Sequence, residues 1–122
     1  SSEAIRRRVI AARAIQQERY KESAGIYCNA QMNSRMIARW ASPEPEAMKI
    51  LEQTMTRFDM SARAYDRILK VARTIADLDA AASASAAPFD PASAVDSPIT
   101  ALHMREAVSY RNLDRATWGL KL

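Results

Sequence analysis

A chain of 122 residues, 48% hydrophobic and 26% charged, has the make-up of a single soluble domain around one modest core. Its one cysteine and one histidine exclude an internal disulfide and any cysteine- or histidine-cluster metal site. The net charge of +4, carried by 14 arginines beside 4 lysines, fits phosphate or carboxylate partners and permits nucleic acid binding without requiring it. Only Gly25 and Gly119 are glycines, while alanine, arginine and methionine abound, so helix is favoured over sheet. The expected fold class is all-α, a bundle of about five helices. No run approaches the about 18 consecutive apolar residues of a membrane span, and no charged-then-apolar leader precedes the first helix. A cytoplasmic location with no membrane partner is therefore expected. The opening Ser-Ser, without methionine, points to a piece cut from a longer protein.

Ser2 is placed to cap a first helix whose opening turn carries Glu3. Ile5, Val9, Ala12 and Ile15 fall near one face with Ile10 beside it, and Arg6, Arg7, Arg8, Arg13 and Arg19 occupy most of the rest. Two readings of that arginine cluster stay open. It is either a solvated face or a contact with DNA phosphates or a neighbouring subunit. No aromatic side chains interleave with the arginines, as a base-stacking surface would have. Tyr20 to Met32 contains Gly25 and Asn29 and reads as a loop. Within it Cys28 is expected to be a small buried hydrophobe rather than a nucleophile.

Asn33-Ser34 caps a short helix with Met36, Ile37 and Trp40 facing inward, and Ser42-Pro43-Glu44-Pro45 stops it and opens the next. Ala47, Ile50, Leu51, Thr54, Met55 and Phe58 then recur at the spacing of an amphipathic helix. Met48, Met55 and Met60 read as core filler.

Asp59 or Ser61 caps the longest helix, on which the rest of the chain is expected to pack. On a wheel of about 100° per residue, Arg63, Asp66, Arg67, Lys70, Arg73 and Asp77 fall with Thr74 inside an arc of roughly 120°. The apolar residues fill the wider side, so the helix should be covered on two or three flanks. Asp66 with Lys70, and Arg73 with Asp77, stand at i,i+4 and can pair. The charged arc has two readings: a solvated stripe, or a rigid edge that holds Arg63 and Arg67 out for an anion.

After Ala80 the sequence AAASASAAPFDPASAVDSP, with Phe89 its one large side chain, reads as a flexible connection over residues 80–97. Thr100 caps a last helix with Leu102, Met104, Ala107, Val108 and Tyr110 as apolar contacts, and His103 in its first turn is expected to cap or pack. The tail 112–122, with Trp118, either lies across the bundle or frays. One domain thus spans 1–122.

Chemistry for autonomous catalysis is missing. No Gly-x-x-x-x-Gly-Lys-Ser/Thr loop occurs to cradle phosphates, and no apolar strand ends in paired acids that would hold magnesium. A serine–histidine–acid triad would have to use His103 on an ordinary-looking helix.

The stretch SARAYDRILKVARTIADLD resembles the C-terminal helical lid domain of magnesium-chelatase-like AAA+ ATPases, in their ComM/YifB-type branch. IRRRVIAARAIQQER at the start, NAQM at Asn29 to Met32 and PITALHMREAVSYRNLDR near the end resemble the same family. The family crosses the region of residues 80–97 in fewer residues. The resemblance implies a preceding α/β domain that carries the phosphate loop, the magnesium-binding acids and the arginine finger. The helical domain would be its lid, inert alone, with ATP and Mg2+ as cofactors of the full-length protein. Such lids often send an arginine, called sensor 2, from the start of the central helix to the γ-phosphate. Ser61 to Arg63 is similar to that position, which makes Arg63 the candidate catalytic residue; Arg67 and Lys70, one and two turns on, are further candidates for nucleotide binding. Implied partners are the N-terminal AAA+ core of the same chain, neighbouring subunits of a hexamer, and DNA, with competence-linked helicase or branch-migration activity. The chelatase branch implies a metal-insertion partner instead. The competing expectation, independent of the resemblance, is a free-standing basic helical module that binds nucleic acid or a partner protein.

Overall fold

The computed structural model describes residues 2–82 and 89–110, and within them all regular structure is helical. Five α-helices run in chain order: α1 (Ser2–Arg19), α2 (Ser34–Trp40), α3 (Pro45–Phe58), α4 (Ala62–Ala82) and α5 over residues 101–110. Two short 3-10 turns, Asn29–Gln31 and Pro91–Ala94, sit between them.

The helix ends follow their local chemistry. Asn33 caps α2 by accepting from the Met36 amide at 2.9 Å. Pro45 takes the first position of α3, where a missing N–H costs nothing. Asp59 and Ser61 divide the junction between α3 and α4. Asp59 ends α3 in the left-handed region at φ 49°, with the Met60 amide bonded to the Met55 carbonyl, and the Ser61 hydroxyl opens α4 by accepting from Ala64 N. His103 caps α5. The Thr100 amide donates to its Nδ1 at 3.0 Å, which leaves Nε2–H to donate to Asp79 at 2.8 Å on α4.

The main core gathers Tyr20, Met32, Ile37, Ala47, Leu51, Ile68, Leu69, Ala72, Ile99 and Met104 around one flank of α4. Leu102 and Tyr110, expected as inward contacts of α5, are exposed instead; Met104 and Ala107 do that packing. A second, smaller cluster joins α1 to the end of α4. There Ala12, Ile15, Ala81 and Ala94 are buried, with Leu78 and Phe89 against them. Three of those four are alanine, so the two backbones can approach closely.

Order extends further than the expected flexible connection over 80–97 allows. Residues 80–82 are the last turn of α4, and Asp90 caps the second 3-10 turn through the Ala92 amide at 3.1 Å. Phe89 and Ala94 pack on α1 and α4, and carbonyls of Val95 and Ser97 accept from buried arginines. The physical reason is that buried guanidiniums need acceptors, and this segment supplies them. Residues 83–88 and the tail 112–122 lie outside the described residues.

Candidate functional site

The three sequence candidates stand on successive turns of α4, about 6 Å and 10 Å along the axis from the first. Arg63 and Arg67 are exposed; Lys70 is half-buried and donates to the Ala30 carbonyl at 3.1 Å instead of to Asp66. The structure brings Arg67 and Lys70 together in the wall of one open groove of about 480 Å³ between α4 and α5, with Val71, Ile75, Leu78 and Tyr110. Arg67 also borders a neighbouring groove of about 340 Å³ lined by Met60, Ala64, Ile68 and Ala107. Arg63 lines neither groove. The first two turns of α4 thus present cations to the outside, on a helix whose Ile68, Leu69, Ala72 and Ala76 are locked in the core.

The remaining third of the charged arc is not wetted. Arg73 and Asp77 are buried, 2% and 0% exposed, because α1 and the 89–97 segment cover that part of α4. Arg19, expected among the surface arginines of α1, is buried with them. Its guanidinium forks onto Asp77, Nη2 to Oδ1 at 2.6 Å and Nη1 to Oδ2 at 2.8 Å, and its Nε donates to the Val95 carbonyl at 3.1 Å. Arg73 donates to the Trp40 carbonyl at 2.9 Å and to Ser97 at both its carbonyl (2.7 Å) and hydroxyl (2.6 Å). Arg73 Nε lies 3.3 Å from Asp77 Oδ1 without hydrogen-bond alignment. One carboxylate therefore serves two guanidiniums.

Asn29 closes the network. Its Oδ1 accepts from Arg19 (3.0 Å) and from the Tyr20 hydroxyl (2.7 Å), while its Nδ2 donates to Thr74 (3.0 Å) and Asp77 (2.9 Å). All four of its amide hydrogen-bond positions are used. Burial is the largest influence on Arg19 and favours its neutral form, but the hydrogen bonds and charge of Asp77 outweigh it and raise the guanidinium above its ordinary value. For Arg73 burial wins: the Asp77 charge offsets only part of it, Arg19 repels, and the pKa falls below the ordinary arginine value. Burial likewise raises the Tyr20 phenol.

Sequence reasoning missed this network, although a signal was present. Arg8, Ala12, Ile15 and Arg19 stand at spacings of four, three and four, which places both arginines on the face α1 buries. Arg8 indeed reaches α4 as well, donating to the Leu78 carbonyl at 2.9 Å. Cys28, expected to be buried, is only partly covered at the start of the 3-10 turn. Among the described residues no group of three or more His, Cys, Asp or Glu is arranged to hold a metal ion. No helix among them is long and apolar enough to cross a membrane.

The stretch of sequence that forms α1–α4 matches a known family. The family model for the C-terminal region of the magnesium chelatase subunit ChlI matches residues 1–95. The chain belongs to this magnesium-chelatase C-terminal family. As a member it is a helical domain of magnesium-chelatase-like AAA+ proteins. The chain is 36% identical over 115 residues to a Salmonella typhimurium protein described as uncharacterized protein YifB, and 37% identical to the Escherichia coli protein of that name. It is 36% identical to the competence protein ComM of Haemophilus influenzae. Each match covers 94% of this chain and 19% of the relative, so the chain spans about one-fifth of the length of the curated relatives it matches. No solved structure matches it.

Proposed function

We propose that this magnesium-chelatase-type domain is the lid of an ATP-hydrolysing AAA+ protein and that its cationic edge on α4 faces the nucleotide. The observation that carries the reading is the exposure of Arg63 and Arg67 at the start of a helix otherwise held in the core. A guanidinium stays charged, forks onto two phosphate oxygens and gains strength where water is excluded. Arg63 serves as the sensor-2-like contact to the γ-phosphate, with Arg67 and Lys70 as further phosphate contacts. ATP and Mg2+ are held mainly by a preceding phosphate-loop domain.

When hydrolysis removes the γ-phosphate, the lid loses a charge-assisted hydrogen bond and rotates. In a hexameric ring in the cytoplasm that rotation moves a bound substrate. DNA is the substrate this reading favours, because one relative is named a competence protein. The deciding experiment replaces Arg63 by alanine in the full-length polypeptide and measures ATP turnover. Unchanged turnover moves the role from Arg63 to Arg67 or Lys70, or abolishes it, and a coding frame without a phosphate loop refutes the lid reading and leaves the binding-module alternative.

A further inference from the structure

One face of α4 stays half covered after the bundle has packed. Arg67, Lys70, Val71, Thr74, Ile75 and Leu78 follow the repeat of a single helix stripe, and all six line the groove of about 480 Å³ between α4 and α5. Val71, Ile75 and Leu78 are half-buried. Tyr110, at the end of α5, is 49% exposed and borders both this groove and the neighbouring one of about 340 Å³. The stripe from Arg67 to Leu78 is about 16 Å long. Three aliphatic side chains and a tyrosine ring along one trough form a patch that a covering segment would take out of water. We propose that residues 112–122 of this chain, which follow α5, seat in that groove along α4.

The occupant follows from position, periodicity and charge. Helix α5 runs antiparallel to α4: His103 in its first turn bonds Asp79 in the last turn of α4, while Ala107 and Tyr110 share a groove with Ala64 and Ile68 near the start of α4. The chain therefore leaves α5 at the Arg67 end of the stripe. Asn112 and Asp114 are residue types that reverse a chain. Beyond them Ala116, Trp118, Leu120 and Leu122 alternate with Thr117, Gly119 and Lys121, a pattern that sets four apolar side chains on one side of an extended chain. Seven residues extended span about 20 Å, close to the length of the stripe. Charge agrees with this direction: Asp114 comes to the end that holds Arg67 and Lys70, and Lys121 arrives near Asp79, the acid next to Leu78.

Trp118 dominates the energetics, since a buried tryptophan takes about 150–250 Å² out of water, and that gain offsets the entropy lost in ordering the segment. The contact covers the Tyr110 ring and the floor formed by Val71, Ile75 and Leu78, and it leaves Arg63, which lines neither groove, outside. It does not depend on Arg63 reaching a nucleotide.

Tryptophan fluorescence of the 122-residue chain tests it. Subtracting the spectrum of Trp118→Phe isolates Trp118 from Trp40, and each variant below is paired with its own Trp118→Phe control. The expected result is a blue-shifted Trp118 component that is shielded from acrylamide. In Val71→Glu, a change in the groove floor, and in Leu120→Glu, a change in the segment alone, the blue shift and the shielding should both be lost. Circular dichroism checks that helix content is kept, and Tyr110→Glu at the exposed rim replaces Val71→Glu should the latter fail to fold. The proposal is overturned by a fully wetted Trp118 in the wild type or by a blue shift that survives either the groove or the segment substitution. It is also overturned by a shift that appears only as protein concentration rises, which would give the groove to a second copy.

Discussion

Arg19 at the last turn of α1 and Asp77 in the penultimate turn of α4 form a two-pronged ion pair at 2.6 and 2.8 Å, with neither side chain reaching solvent. The pair fixes how α1 crosses α4. Its surroundings carry a net positive charge, since Arg73 adds a second guanidinium to the one carboxylate.

That imbalance makes Asp77 the most sensitive member. Asp77→Asn leaves two buried guanidiniums facing each other and should cost about 3–5 kcal/mol, the range for breaking a buried pair from one side. Urea unfolding of the 122-residue chain measures it. Replacing Arg19, Arg73 and Asp77 together by methionine, methionine and leucine should cost less than the single change, because no uncompensated charge remains.

Arg63→Ala should leave the thermal midpoint of the domain unchanged, since the side chain is exposed. ATP turnover of the full-length polypeptide should fall about 10²–10³-fold, by analogy with the loss of one preorganised donor to a developing anion. Arg67→Ala and Lys70→Ala are the comparisons. If they abolish turnover while Arg63→Ala does not, the phosphate contact lies at the α4–α5 groove.

Ile68 is 4% exposed in the main core. Ile68→Asp exchanges about 1.5–3 kcal/mol of apolar burial for a stranded charge and should unfold the domain. Circular dichroism with thermal melting reads the outcome, and a melt close to that of the wild type contradicts the packing of α4.

Tyr20 links stability to alkaline pH. Burial raises its phenol above the ordinary 10.0, so the unfolded chain gives up this proton first. Its contribution is complete below pH 10 and is lost as pH rises through the folded value, at up to about 1.4 kcal/mol per pH unit. Denaturant midpoints measured from pH 9 upward should show a steeper decline for the wild type than for Tyr20→Phe.

Helix positions, their caps and the dominance of α4 were legible because each follows from contacts within a few residues. The wetted arc on α4 was legible only as far as Lys70. A wheel reports which residues share a face but not which stretch of that face a distant helix will cover, and α1 covers Arg73 and Asp77. Arg19 was placed with the surface arginines because arginine is rarely buried unless paired, and its partner is 58 positions away. The Ala/Ser/Pro-rich composition likewise hid the ordering of 89–97, whose carbonyls are fixed by arginines on other helices.

Asn29 sets a limit on what this joint between α1 and α4 tolerates. Two donors meet its oxygen and two acceptors meet its nitrogen, so the side chain fits in one orientation only. An aspartate there would turn an oxygen toward the Asp77 carboxylate, and a leucine would take away the Tyr20 hydroxyl's bond and one bond each from Arg19, Thr74 and Asp77. The joint therefore has no half-step available: α1 and α4 either mesh in this one register or come apart.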